Sequence, residues 1–366
     1  MTLPLVLGEC LALDLDPRDL SALRAQLFAP GALNGLLELA AGENMLALLA
    51  GRLLDAGLVP PDRPGKPGAQ DVLRRHLAAH LARRDTMAAH LREILAVLNG
   101  LGIRPLLLKG ARSLWEGRPS WRYLRDIDLL VPVDAAHPAQ DALAAIGYGP
   151  DASLAERPDR HHLAPLYKAG FPGWVEIHRS GGNRYAERLL PTSELLAASA
   201  IAEGGGLSVR LLPPAMHLLH AAVHHHVGHG GDARGTVSLK GLYEFASAAN
   251  GLTEEGKHWV VARSARHPRL AAMLEFWLAA AALLFRLPVE TPFSIGDDAA
   301  ARAEKTFLGD AHSLWKYPGY GDEIRMACAA ERLRRSPGGE NLVGRQLLRW
   351  KVIASMLPTL RRRVRL

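Results

Sequence analysis

Residues 106–131 read LLLKGARSLWEGRPSWRYLRDIDLLV, and this stretch decides the fold. It opens as a short apolar run between Pro105 and Gly110, which predicts a buried strand over 104–109. The run passes through Lys109-Gly110 into a short helix over 111–117. Glycine at such a junction lets the backbone approach a ligand closely, and a helix start offers free N–H groups to an anion. The stretch ends on Asp126-Ile127-Asp128, at the start of a second strand running to Val133. Residues i and i+2 of a strand share a face, so the two carboxylates project together while Ile127 turns toward the core.

Downstream, a helix is predicted over 139–146, stopped by Gly147, and strands over 163–167 and 174–178 (WVEIH). Gly170, Pro172 and Gly173 form the turn between those strands. Glu176 sits between Val175 and Ile177, an awkward place for an acid unless that face opens on a site. Two adjacent carboxylates repel and call for a cation, and hard oxygen ligands suit magnesium, with manganese as the substitute. An Asp–x–Asp pair with a third acid on another strand is the minimal apparatus of two-metal phosphoryl or nucleotidyl transfer.

The flanks have a different texture. Leucines recur at helical spacing through residue 58, and VPPDRPGKPG (Val59 to Gly68) reads as a linker. A long helix follows from about Ala69 to Leu101, with Leu73, Leu77, Leu81, Met87, Leu91, Ile94, Leu95 and Leu98 as its apolar stripe. After about Thr192 the chain reads as helical again, with helices from Pro213-Pro214 onward and near 236–249, 254–266, 269–286 and 340–356. The expected class is α+β and mostly helical, with a small mixed sheet between helical flanks. The expected divisions are a helical region over 1–84, an α/β core over 85–192 and a helical domain over 193–366.

Bulk properties exclude several classes. Of 366 residues, 48% are hydrophobic and 22% charged, the balance of a globular chain with a sizeable core. Two distant cysteines, Cys10 and Cys328, build neither a disulfide framework nor a thiolate zinc site, and suit a reducing cytoplasm. The N-terminus lacks a basic signal region, and the apolar run Phe276–Phe285 is shorter than the roughly 20 residues of a membrane span. A soluble, cytoplasmic protein without a membrane partner is expected. The net charge of +7 includes Arg361, Arg362, Arg363 and Arg365. A solvated helix end explains that tail better than a nucleic-acid contact.

With these residues in view, LLLKG, Arg122, DIDLLV and VEIH together resemble the nucleotidyltransferase superfamily that includes DNA polymerase β and the antibiotic nucleotidyltransferases. The closest likeness is to a bacterial family of uncharacterised nucleotidyltransferases. The resemblance implies that Asp126, Asp128 and Glu176 bind metal and carry catalysis. It places Gly110, preceded by Lys109, at the triphosphate, and Arg122 as an arginine ahead of the aspartate pair. Ala111 stands where the wider superfamily has serine. The implied reaction uses a nucleoside triphosphate (NTP) and magnesium. An acceptor hydroxyl on a small molecule, peptide or protein attacks the α-phosphorus and pyrophosphate leaves, with Glu176 helping to deprotonate the acceptor and Lys109 or Arg122 neutralising the leaving phosphates.

A second cluster is MHLLHAAVHHHVGHG, where His217, His220 and His224 recur at i, i+3 and i+7 and His225 pairs with His229 at i+4. With Asp232 it permits a metal-dependent phosphohydrolase site, though no H–E–x–x–H pattern is present. The favoured reading is a helix over the cleft, with His224 and Lys240 lining a substrate pocket and Glu244 nearby. His161, His162 and His178 are lesser candidates, and His178 should face the same way as Glu176. Two alternatives to an enzyme of nucleotidyl transfer stand: a catalytically silent binding module, and the phosphohydrolase.

Overall fold

The computed structural model describes residues 3–13, 17–28, 31–59, 68–117, 122–150, 161–228 and 237–307. The interior of the linker, Asp232, His229, Cys328, the helix expected near 340–356 and the C-terminal arginines lie outside these residues. The chain is α+β and mostly helical. Four helices come first: α1 (Leu3–Cys10), α2 (Pro17–Leu27), α3 (Ala32–Gly42) and α4 (Leu46–Asp55). They precede α5 (Ala69–Gly100), whose 32 residues extend about 48 Å at 1.5 Å per residue.

The sheet begins with β1 (Leu106–Leu107), α6 (Ala111–Trp115) and β2 (Asp126–Leu130). Next come α7 (Ala136–Ala145), β3 (Gly149–Pro150), β4 (Leu166–Tyr167) and β5 (Trp174–His178). After α8 (Arg184–Leu189) and α9 (Thr192–Ala198), β6 (Ala200–Gly204) and β7 (Leu207–Leu211) complete seven strands in the order β3-β4-β5-β2-β1-β7-β6. β2 lies parallel to β5 and antiparallel to β1, while β1 runs parallel to β7.

That last hairpin corrects the expectation of an all-helical chain after residue 192. The signal was present as GGG between two β-capable runs. Gly205 and Gly206 both have positive φ, 58° and 75°, which is the two-residue turn matched to strand twist. Asn99, near the end of α5, ties this hairpin down: its amide donates to the Ser208 carbonyl and its oxygen accepts from the Ser208 N–H.

The remaining helices are α10 (Pro214–Val223), continued by a π turn over His224–Gly228, then α11 (Leu239–Asn250), α12 (Glu254–Ala265), α13 (Pro268–Phe285) and α14 (Asp297–Phe307). Helix α13 is longer than the apolar run read in the sequence. By length and composition it could cross a membrane, yet Leu270, Trp277, Leu278 and Phe285 are buried, as in a core helix.

Two apolar clusters divide at the sheet. On one side α5 and α7 pack on Leu107, Ile127, Leu129, Val175 and Ile177. On the other, the N- and C-terminal helices meet Leu106, Leu108 and Leu130. Helix α5 serves both: Leu73 joins the second cluster and Met87 through Leu98 the first. Between them its stripe breaks. Leu81 is exposed, whereas Arg84 is buried and donates to the Ser113 carbonyl at 2.5 Å.

Candidate active site

The period-2 alternation of β2 sends Ile127 and Leu129 to the α5 side and Asp126, Asp128 and Leu130 to the other. On β5 the same rule sends Val175 and Ile177 inward and leaves Glu176 and His178 on the acid face. Parallel pairing then sets Asp126 beside Trp174, Asp128 beside Glu176 and Leu130 beside His178. The two acids predicted on separate strands are therefore lateral neighbours.

Asp128 is the deepest of the group, 1% exposed. Its Oδ1 accepts from Lys109 Nζ at 2.6 Å and from His178 Nε2 at 2.8 Å. His178 Nε2 also lies 3.5 Å from Glu176 Oε2, and His162 Nε2 lies 4.0 Å from the same oxygen. Burial alone would raise the Asp128 carboxyl, but Lys109 and His178 hold it well below the usual carboxylate range. Burial likewise presses Glu176 up, and the His178 contact leaves it lowered on balance. Burial and the neighbouring Asp128 charge push Asp126 up to about 7. Lys109 and His178 are both raised, because the surrounding acids outweigh the cost of burying their charge. The site thus sets the Lys109 ammonium and the His178 imidazole against three acids.

The strand–helix junction turns on its lysine. The left-handed residue is Lys109, with φ 47°, whereas Gly110 has φ −72°, open to any residue. Glycine is needed at 110 because a Cβ there would stand 2.1 Å from Leu124 Cδ2 and 3.2 Å from Arg122 Nε. A lysine held in this region costs on the order of 1–3 kcal/mol, a cost typically found where side chains are being aimed. Here it aims Nζ at Asp128.

Arg122 and Lys240 meet each other's elements. Arg122 Nη1 pairs with Glu244 Oε2 on α11 at 2.9 Å, and Lys240 Nζ donates to the Tyr123 carbonyl at 2.8 Å. From the opposite side Arg83 donates to the Leu124 carbonyl at 3.0 Å and lies over the Tyr123 ring. The segment entering β2 is gripped by α5 and α11 together. Burial pushes Lys240 down to about 8, with Arg122 adding to the effect. Arg83 escaped the sequence reading because its partner is 41 residues away along the chain.

Among the described residues, the histidine helix covers this region without forming a ligand cluster of its own. His220 is buried and its Nε2–H donates to the Gly181 carbonyl at 2.8 Å, just beyond β5. His224 is buried and its ring stacks at 6.3 Å on His220. Burial pushes His217 down to about 3 and His220 to about 4, so both are neutral. Among the described residues, the three metal-type donors that converge are Asp128, Glu176 and His178, whose ligand atoms all lie within 4.8 Å of one another. Asp126 stands outside that group. His161 and His162 flank it, their rings 5.1 and 5.4 Å from that of His178.

A strand–turn–helix lead-in, an Asp–x–Asp strand and a third acid in parallel register beside it define a nucleotidyltransferase-type core. The chain belongs to the family described as uncharacterised nucleotidyltransferase, whose model matches residues 32–286. The match extends beyond the sheet, from α3 through α13, and so takes in part of each helical flank. A comparison with curated proteins finds no match.

Proposed function

We propose that the chain is a divalent-cation-dependent enzyme that moves a nucleoside monophosphate from an NTP to a hydroxyl on a small molecule, peptide or protein, releasing pyrophosphate. The observation that carries this reading is the β2–β5 register, which sets Asp128 beside Glu176 on the face that bears Asp126. The donor set suits a divalent ion. Its ligand atoms, on Asp128, Glu176 and His178, all lie within 4.8 Å of one another.

Asp128 and Glu176 would hold the ion, magnesium or manganese, with Asp126 reaching toward it from the same strand face; when bound it would neutralise the triphosphate and polarise the phosphoryl group under attack. The acceptor oxygen forms a bond to the α-phosphorus, the bond from that phosphorus to the bridging oxygen breaks, and pyrophosphate departs. Glu176, the more open of the paired acids, takes the acceptor proton. Lys109 brings a positive charge to the same place from the strand–helix turn, where it meets the leaving phosphates. Arg122 and Lys240 keep α11 against the segment entering β2, and His224 belongs to the roof over the acceptor side.

Purified protein given magnesium and α-labelled NTPs with a panel of hydroxyl acceptors should release pyrophosphate and label an acceptor. Asp126→Ala combined with Asp128→Ala should abolish release, and full activity in that variant would overturn the mechanism. A second reading draws on Lys109 and His178, which already pair with Asp128 with no metal. This is what a silent binding module would also need. Salt-dependent RNA binding without turnover would favour it.

A further inference from the structure

We infer that His178 is itself a ligand of the cation, and that the mixed carboxylate–imidazole set selects a first-row transition ion over magnesium. The inference rests on the nucleotidyl-transfer reading only for the location of the ion.

The geometry of one atom carries it. His178 Nε2 faces two acid oxygens at once, Asp128 Oδ1 at 2.8 Å and Glu176 Oε2 at 3.5 Å. The three donors lie within 4.8 Å of one another. Donors bound about 2.1 Å from a common ion stand roughly 3–4 Å apart, so a cation fits between these atoms with small side-chain adjustments. Asp126 belongs to the same strand face but not to this group, being one alternation back toward the strand start, opposite Trp174.

The surroundings hold that nitrogen in place. His178 and Asp128 are each 1% exposed at the side chain, while Glu176 is 20% exposed and marks the side open to water or phosphate. The rings of His161 and His162 wedge the imidazole from its flank. On coordination Nε2 gives up to solvent the proton it shares with Asp128 Oδ1, and the ion takes that proton's place between the imidazole and the two carboxylates. Imidazole suits iron, nickel, copper and zinc, whereas magnesium prefers an all-oxygen shell with retained water. The backbone supports the assignment, because β5 places Glu176 and His178 two residues apart on one face.

Manganese is the probe. The full-length chain, stripped of metal and titrated with manganese(II), should bind the ion and show ¹⁴N modulation in pulsed electron paramagnetic resonance. Labelling histidine with ¹⁵N in the unaltered protein should replace that coupling with a ¹⁵N one, a test needing no variant. His178→Gln should lose the modulation and bind manganese about 10–100-fold more weakly, while His162→Gln retains the modulation. Magnesium should displace manganese only in large molar excess. Bound manganese without nitrogen coupling, coupling that persists in His178→Gln, or displacement by equimolar magnesium would each overturn the assignment. The two readings fail separately: turnover with an all-oxygen shell sinks the ligand assignment alone. Nitrogen-coupled manganese in a protein that turns over no NTP upholds it and sinks the transfer reading.

Discussion

The two faces of the central sheet are made by the same strands and do opposite things. On the α5 side, β2 and β5 contribute Ile127, Leu129, Val175 and Ile177 to a closed apolar layer. On the other side, the alternate residues Asp126, Asp128, Glu176 and His178 make a polar site roofed by helices that arrive from later in the chain. The difference teaches that the apolar face pins strand register, and register is what brings the acids together. Charges this deep are tolerable only because each finds a partner on a frame that cannot slip.

The contrast breaks most visibly at one pair of adjacent residues. Asp128→Asn should reduce pyrophosphate release by about 10²-fold or more, the scale of losing one preorganised electrostatic group. A melting experiment should still show cooperative unfolding. Ile127→Ala, one residue away and facing the other cluster, should lower unfolding free energy by about 2–5 kcal/mol in urea titrations, while the folded fraction keeps its activity. If Ile127→Ala abolished turnover in folded protein, the separation of the two faces would be false.

A finer test concerns the roof. Arg122→Ala and Glu244→Gln should show a coupling of about 0.5–3 kcal/mol in a double-mutant cycle, since they join the segment entering β2 to α11. Additive effects would mean that α11 is held by other contacts.

The smallest expected effect is a pH slope. Burial lowers His220 from an ordinary 6.5 to about 4, so the unfolded chain takes up the proton first as pH falls. The stability from keeping His220 neutral is complete above pH 6.5 and is lost on descent toward 4. His217, lowered to about 3, adds to the same slope. His220→Asn, which preserves a donor for the Gly181 carbonyl, should flatten the decline in melting temperature across that window. An unchanged slope would place the titrating groups elsewhere.

Much of this was legible in the chain. The α5 stripe apart from Leu81, both strands of the acid pair and the faces of Asp126, Asp128 and Glu176 follow from periodicity alone. Less legible were the elements whose signal is short. The β6–β7 hairpin hid behind its glycines, and β1 has only two residues. Nor was it legible that the residue of positive φ at the strand–helix junction is Lys109, or that the space beside Gly110 is taken by Leu124. That neighbour lies 14 residues along the chain, beyond any local pattern.

By itself, then, the sequence determined which side chains share a strand face, because alternation is a property of the local backbone. Only the tertiary structure decided which acid stands beside which, that His178 turns its Nε2 into the pair, and that Arg122 and Lys240 bridge to partners more than 100 residues distant. Cross-strand register and helix docking depend on how the two apolar clusters fill, and that is settled by contacts no stretch of sequence contains.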